Sequence, residues 1–331
     1  MPPVTLGLCL DGFIPVHEMV ALAREAEAAG FTSLWMADHL GYREAVTTCT
    51  AIAVSTAQLR IGPAPLNPYT RHPLIAAMAL ATLEELAPGR ALLVIGTGNP
   101  TVLAELGIRV TRPLRVMREY AAVMRALLGG TDPVEYRGEF LTLAGARMTF
   151  APTRRLPLYM TGVQPRMLRL AGEVADGVLL SSGCAPEYVT RCREAVHEGA
   201  ARAGRSPGTL DVASYIPIAV AEDPAEAVEA CRHHLAYILR NRHHVDNIRA
   251  AGVKLDQEAL AEALGRHDWE AASRLVTDEV VHAFAAAGRV EECRRRVQDF
   301  VAAGVQTPVL LPLGDLGARR RVLDVARRLG T

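Results

Sequence analysis

The sequence predicts an α/β fold, a single (β/α)8 barrel of the TIM type, with one insertion after the fourth helix and another between the seventh and eighth strands. Short apolar runs alternate with segments of helical periodicity, and eight such runs occur in the 331 residues. This alternation indicates parallel βαβ units, and eight units favour a closed barrel. A doubly wound open sheet is the alternative fold.

The first four strand and helix pairs follow directly from hydrophobic spacing. The first run is short and apolar throughout, as in a buried parallel strand. The helix after it has apolar residues three and four positions apart and ends at a glycine. In chain order, the predicted elements are Val4–Leu10, a helix from Val16 to Gly30, Ser33–Ala37, Ala45–Thr56, Arg60–Pro63, His72–Leu86, Arg90–Ile95 and Leu114–Leu128.

The second half repeats the pattern around two long connections. Its predicted elements are Pro157–Thr161, Arg166–Ala175, Gly177–Ser181, Glu187–Ala203, Leu210–Val220 and Pro308–Leu313, before a terminal helix. The first connection, Gly129–Leu156, contains the strand-like pieces Glu139–Leu143 and Arg147–Phe150, and the second, 224–290, contains extra helices. Connections this long are usually functional covers.

Composition narrows the class of protein. The 36 basic and 36 acidic side chains balance, so the chain has no net charge that would favour binding to nucleic acid or to an acidic membrane. No apolar run approaches the ~20 residues that span a bilayer, and the N-terminus does not resemble a signal peptide. The 6 cysteines show no metal-binding spacing. We therefore expect one cytoplasmic domain over residues 1–331, with a small-molecule substrate and no metal.

Residues just past the strand ends of such a barrel line one cavity. Most of them here are glycines, prolines and small polar residues, which suit a planar or phosphorylated ligand. They are Cys9, Asp11, Asp38, His39, Ala64–Tyr69, Gly96–Pro100, Thr161–Gln164 and Ser182–Cys184.

The pair Asp38 and His39 follows the second strand directly. A histidine at a strand end suits general acid and base catalysis, with the aspartate anchoring the loop or orienting a ligand. The alternative is a capping aspartate beside a hydrogen-bonded loop histidine.

Other strand-end segments are weaker signals. Gly96–Pro100 lacks the third glycine of a dinucleotide fingerprint but could form a wall against a flat ring. Thr161–Gln164 precedes a helix, whose N-terminal amides favour an anion. Either X–Pro bond of Ala64–Tyr69 could be cis. Four histidines, at 233, 234, 243 and 244, occur as adjacent pairs, which favours lining of the substrate mouth over a metal cluster.

Five longer stretches resemble the bacterial luciferase-like family, and within it the branch that uses the deazaflavin coenzyme F420, with a pattern similar to methylenetetrahydromethanopterin reductase. They are AREAEAAGFTSLWMADH (23–39), IGPAPLNPYTRHP (61–73), ATLEELAPGRALLVIGTG (81–98), YRGEFLTLAGARMTFAP (136–152) and LPLYMTGVQPRMLRLAGEVADGVLL (156–180). The resemblance covers nearly the whole chain.

This resemblance implies a barrel, often dimeric, with the cofactor ring over the strand ends. The family's cis bulge behind the ring falls on Ala64–Pro65, and its phosphate-binding turn on Gly162, Val163 and Gln164. The predicted catalytic residues are His39, Asp38, Asp11 and Cys9. The predicted cofactor-binding residues are Asp38, Ala64, Pro65, Asn67, Thr97, Gly98, Asn99, Thr161, Gly162, Val163, Gln164 and Ser182.

Two positions depart from the methylene reductase pattern. Its carboxylate near the end of strand one falls on Cys9, and the acidic residue after the GTG motif falls on Asn99. We therefore expect hydride transfer between reduced F420 and a different small organic substrate. The alternatives are a monooxygenase that uses reduced FMN and O2, and a non-catalytic flavin-binding barrel.

Overall fold

Parallel strands form the centre of the computed structural model, which describes residues 5–327. Within that range the strands are β1 (Gly7–Leu10), β2 (Ser33–Met36), β3 (Arg60–Pro63), β4 (Leu93–Ile95), β5 (Val134–Arg137), β6 (Thr142–Ala146), β7 (Leu158–Thr161), β8 (Gly177–Leu180), β9 (Asp211–Val220), β10 (Ala286–Gly288) and β11 (Thr307–Pro312). The predicted start of the first strand at Val4 lies outside the described residues.

Eight of these strands form a ring in the order β3-β2-β1-β11-β9-β8-β7-β4, and β10 pairs with β9 beside the ring. The ring closes between β3 and β4 through two separate bridges, Ile61 to Ala91 and Leu66 to Ile95. At the second bridge the Leu66 amide donates to Val94 O over 2.9 Å, and the Gly96 amide donates to Leu66 O over 3.0 Å. The predicted barrel is confirmed.

Helices surround the barrel and form the second insertion. Those of the described chain are α1 (Val16–Ala28), α2 (Ala45–Ala53), α3 (Pro73–Leu86), α4 (Pro100–Glu105), α5 (Pro113–Leu127), α6 (Pro165–Val174), α7 (Pro186–Arg202), α8 (Pro224–Leu239), α9 (Val245–Ala251), α10 (Gln257–Gly265), α11 (Trp269–Leu275), α12 (Asp278–Phe284), α13 (Val290–Ala303), α14 (Leu316–Arg321) and α15 (Leu323–Arg327), with 3-10 turns at Pro207–Thr209 and Arg242–His244. None of these helices is long and apolar enough to cross a membrane.

Two apolar layers follow from the alternation of side chains along each strand. Leu8 and Leu10 of β1 belong to the layer between the strands and the outer helices. Cys9, between them, belongs to the second cluster, with Trp35 and Tyr159 of the neighbouring barrel strands. Because their neighbours along the strands pack on the helices, these three side chains point into the barrel. The lumen is therefore packed rather than open.

The first insertion contains a hairpin whose position differs from the prediction. The strands β5 and β6 pair in antiparallel fashion, so the predicted strand Glu139–Leu143 covers the turn and the first two residues of β6, and the predicted strand Arg147–Phe150 follows the hairpin. A side chain from helix α5 holds this turn, because the Glu119 carboxylate accepts from the amides of Glu139, Phe140 and Leu141 over 2.9 Å each. The second insertion is helical, as predicted, and contributes α8 to α12.

Candidate active site

His39 lies past the end of β2, and its orientation is fixed by the loop after β1. Its Nδ1 lies 3.0 Å from the Asp11 carbonyl oxygen. Because a carbonyl oxygen only accepts, Nδ1 carries the hydrogen, and Nε2 of the neutral ring is left as an acceptor. The Phe13 ring stacks on the imidazole with centroids 5.5 Å apart. These contacts fix the orientation of the His39 imidazole.

The Asp11 carboxylate is occupied by protein partners. One oxygen accepts from the Phe13 amide over 3.1 Å, and the other accepts from Arg319 Nη2 over 2.8 Å. Both members of this ion pair are buried, with 3% of the Asp11 side chain and 6% of the Arg319 side chain exposed. Asp11 therefore supports His39 through its carbonyl group while its carboxylate balances Arg319.

Asp38 faces a pocket of about 380 Å³ between the loops after β2 and β3, and Tyr42 and His72 also line it. Burial raises the pKa of the Asp38 carboxyl, while the positive charge of Arg71 acts in the opposite direction. Arg71 Nη2 lies 4.0 Å from Asp38 and 2.7 Å from Glu44. The arginine thus bridges two carboxylates at the edge of the barrel mouth.

A wall of small residues joins the ends of three neighbouring strands. Pro65 follows β3 in a cis peptide with Ala64, Gly96 follows β4, and Thr161 ends β7. A Cβ at Gly96 would overlap Thr161 Oγ1 and lie 2.8 Å from Pro65 Cγ. The absence of a side chain at Gly96 lets Pro65 and Thr161 approach each other. The result is a low surface at these three strand ends.

Replacing Gly96 with alanine tests this close packing. We expect Gly96→Ala to lower the free energy of unfolding by ~1–3 kcal/mol, because the new methyl group overpacks a filled space. Urea denaturation measures the change. Gly130→Ala is the matched control, since a Cβ there meets nothing within 4 Å. Equal stability of the two variants would contradict the packing argument.

Asn67 ties this wall to the GTG segment. Its Nδ2 donates to Thr97 O over 3.1 Å, and its Oδ1 accepts from the Tyr69 amide over 2.9 Å. Gly98 adopts φ +67°, and a Cβ there would collide with the Asn67 amide. Asn99 begins α4, where its Oδ1 accepts from the Thr101 amide over 2.9 Å. Asn99 is therefore a helix cap as well as a strand-end residue.

The turn Gly162–Gln164 connects β7 to α6. The Val163 carbonyl accepts from the Tyr188 hydroxyl over 3.2 Å, and Gln164 Nε2 donates to His243 O over 2.6 Å. The Gln164 side chain does not cap α6, and a proline opens the helix. The first-turn amides consequently have no side-chain acceptor from the N-cap residue, which suits an anion such as phosphate.

Cys9 lies in the lumen beneath this surface. Burial raises the pKa of its thiol, and the negative charge of Asp11 acts in the same direction, so the thiol stays protonated. Tyr215 of β9, which the sequence analysis did not single out, lies beside it and donates its hydroxyl to Ala64 O over 2.9 Å. Tyr215 thereby supports the residue that precedes Pro65 from below.

The paired histidines of the second insertion separate into exposed and inward-facing members. His233 is exposed and stacks on Trp269, whereas His234 Nε2 lies 2.6 Å from Ser182 Oγ. His244 is 1% exposed, and its Nδ1 lies 3.2 Å from Asn247 Nδ2. Within residues 5–327 no group of three or more His, Cys, Asp or Glu side chains could hold a metal ion.

Acidification should destabilise the folded protein through the buried His244. Its pKa is lowered from 6.5 to about 3, mainly by burial and also by the nearby His243. The unfolded chain therefore binds a proton that the folded chain rejects, and stability falls as pH drops below the ordinary histidine pKa. We expect His244 to lower the free energy of unfolding by ~2 kcal/mol between about pH 7 and pH 5, which urea denaturation can measure.

His244→Gln should remove that loss from the pH profile. His282→Gln, at an exposed position, is the control and should retain the wild-type slope. Identical slopes for wild type and His244→Gln would contradict the assignment of this proton to His244.

The structure thus brings Asp11, His39 and Ser182 to the barrel mouth, and leaves Cys9 in the lumen. Sequence reasoning missed Arg319 and Tyr215, and considered His234 only as one of four histidines that could line the substrate mouth. Arg319 is 308 positions from its partner Asp11, so no local pattern could have paired them.

Comparison with known proteins agrees with this geometry. The model of the family described as luciferase-like monooxygenase matches residues 5–307. The 5,10-methylenetetrahydromethanopterin reductase of Methanolobus tindarius is 31% identical over 310 residues, covering 91% of this chain and 92% of the relative. The F420-dependent glucose-6-phosphate dehydrogenase of Beutenbergia cavernae is 34% identical over 77% of this chain and 78% of its own length.

A solved structure extends the similarity to three dimensions. The coenzyme F420-dependent tetrahydromethanopterin reductase from Methanopyrus kandleri superposes with a TM-score of 0.89, at 29% identity and 98% coverage of both chains. The family model, the curated relatives and this structure all cover most of the barrel. The chain therefore belongs to the luciferase-like monooxygenase family, as the sequence resemblance predicted.

Proposed function

We propose that this barrel catalyses hydride transfer between coenzyme F420 and a small organic substrate, with His39 handling the proton. The observation that carries the proposal is the fixed imidazole of His39 at the barrel mouth, with Nδ1 bound to Asp11 O. Relatives named as F420-dependent support the cofactor and the reaction class. The chain is accordingly an oxidoreductase, and F420 is its cofactor.

The small-residue wall and the α6 turn fit this cofactor. Pro65, Gly96 and Thr97 would lie against the ring, and the turn Gly162–Gln164 would hold the phosphate through the backbone amides of Val163 and Gln164, just before α6. Bound F420 supplies a carbon that gives or receives a hydride. The protein's own contribution is to position the reacting groups and to manage the proton.

His39 Nε2 accepts the proton that a substrate loses on oxidation, and returns it on reduction. Asp11, supported by Arg319, holds the His39 imidazole in place, and Asp38 anchors the loop that carries His39. Cys9 stays protonated in the lumen, and Asn99 caps α4. Neither replaces the carboxylate expected at its position, so we propose a substrate other than methylenetetrahydromethanopterin.

Titration of the purified protein with F420 and FMN tests the cofactor. We expect cofactor fluorescence and thermal shift to show tight binding of F420, weaker binding of FMN, and turnover that is the same with and without oxygen. Tight FMN binding with oxygen-dependent turnover would instead support the monooxygenase alternative. The non-catalytic alternative is disfavoured because the chain aligns with enzymes over most of its length.

We also propose that the protein is a homodimer. Large apolar side chains are exposed on one side of the barrel, at Ile75, Met78 and Leu86 of α3 and at Val54 after α2. A second copy would cover this surface. Light scattering after size-exclusion chromatography should give twice the chain mass of 35.6 kDa, and Met78→Glu should yield monomers. A monomeric wild-type protein would overturn this proposal.

The cellular setting is proposed on chemical grounds. All described cysteines are free and buried, which suits a reducing cytoplasm. The balanced charge of the chain gives no support to a nucleic-acid partner.

A further inference from the structure

The strongest unassigned feature of the barrel mouth is the contact between Ser182 and His234. Ser182 lies two residues past β8, and its Oγ is 2.6 Å from His234 Nε2. His234 belongs to α8, the first helix of the second insertion. Since Ser182 is itself only 8% exposed, the bond forms inside the mouth rather than on the surface.

Strand order places this contact opposite His39. In the ring of eight strands, β8 is four positions from β2 in either direction. Ser182 follows β8 and His39 follows β2, so the two residues stand across the mouth from each other. Helix α8 brings His234 to the strand end that carries Ser182.

The charged surroundings of His234 agree with this placement. The pKa of His234 is lowered to about 4, mainly by burial; the nearby His39 imidazole acts in the same direction, and the negative charge of Asp11 acts in the opposite direction. These two groups, both carried by loops on the far side of the barrel, are the charges that act on it. His234 is therefore neutral at physiological pH.

The two carboxylates at the strand ends near His39 already have arginine partners. Asp11 is paired with Arg319, and Asp38 lies beside Arg71. Ser182 and His234 themselves offer neutral hydrogen-bond donors and acceptors. Such a site stabilises an uncharged oxygen by hydrogen bonds, whereas a free carboxylate or cation would be needed to balance an ionic group.

We propose that Ser182 and His234 form a second substrate-binding pair that faces His39, and that the substrate group held between them is a carbonyl or alcohol oxygen. This inference rests on the proposed function, since it assigns the substrate side of the same mouth. Ser182 and His234 supply a hydrogen bond to the substrate oxygen from one side. His39 manages the proton from the other side.

The test uses acetone, the smallest ketone, as a probe of the F420-loaded protein carrying ¹⁵N-labelled histidine. Disappearance of a signal in His234→Gln assigns the His234 resonance. We expect acetone to shift the His39 and His234 resonances and to leave that of His233 unchanged. Ser182→Ala should weaken acetone binding about tenfold, the equivalent of ~1.4 kcal/mol. His233→Gln, one residue away, should bind acetone like wild type.

Two results would overturn the proposal. One is an acetone titration that leaves His234 unmoved; the other is an acetate ion that binds as tightly as acetone. Fluorescence titration of F420 in the same samples separates this failure from that of the proposed function, because His234→Gln should retain the affinity of the wild type for F420.

A second measurement needs no cofactor or probe. His39→Gln removes an imidazole that opposes protonation of His234, so it should raise the pKa of His234 in the free protein, as pH titration of its ring resonance would show. An unchanged titration would mean that the two imidazoles do not face each other, and would contradict the proposal even if F420 binds.

Discussion

Arg319→Met should lower the free energy of unfolding by ~3–5 kcal/mol, the usual cost of removing one partner from a buried ion pair. The substitution keeps much of the apolar volume of the side chain but leaves the Asp11 carboxylate buried without its cation. It also removes the hydrogen bond of 3.1 Å from Arg319 Nε to Gly314 O. Urea denaturation monitored by circular dichroism measures the loss.

The adjacent residue provides a matched control. Arg320 is paired with Glu25, but both side chains are well exposed, and exposed pairs contribute ~0–1 kcal/mol. Arg320→Met should therefore lie close to wild type. A double variant, Asp11→Asn with Arg319→Met, should recover part of the stability because no unpaired charge remains. Equal losses for Arg319→Met and Arg320→Met would show that the buried ion pair contributes no more to stability than the exposed one.

His39→Gln should reduce kcat by about 10² to 10⁴, the range for loss of a general acid and base. Glutamine can still donate to Asp11 O, so the loop should keep its conformation and the affinity for F420 should stay close to that of the wild type. Steady-state kinetics with any substrate that turns over, together with F420 fluorescence titration, separates the two effects. His233→Gln should leave both quantities unchanged.

A different pattern would point away from proton transfer. If His39→Gln raised the Kd for F420 and left kcat intact, the imidazole would serve the cofactor rather than the reaction. If the variant kept full activity, His39 would have no part in the mechanism.

The barrel could be predicted because its signal is local and repeated. Each strand is a short apolar run followed by a helix of regular spacing, and the ends of those runs place Asp11, His39 and Ser182 at one face of any closed barrel. The family resemblance then gave the class of cofactor. The strand-end residues followed from topology alone, before any contact between them was known.

The structural features that sequence reasoning did not predict depend on side chains from distant segments of the chain. The hairpin turn is set by Glu119, which lies outside the insertion and takes three amides that sequence reasoning had assigned to a strand. Arg319 comes from the far end of the chain to meet Asp11, and Tyr215 reaches Ala64 across the lumen. No periodic pattern records such contacts, because each is a single pair.

At the join between β3 and β4, a bound ligand should also stabilise the fold of the barrel. Only two separated bridges hold these strands together, whereas the other neighbouring strands of the ring share paired registers. Pro65 and Gly96 lie on either side of that join, so a ligand resting on both would fasten it from above. Any molecule that binds the folded form alone adds its binding free energy to stability. The coenzyme would thus stabilise the pairing of β3 with β4. Hydrogen exchange of the amide protons along this join should slow more than elsewhere when the coenzyme is bound.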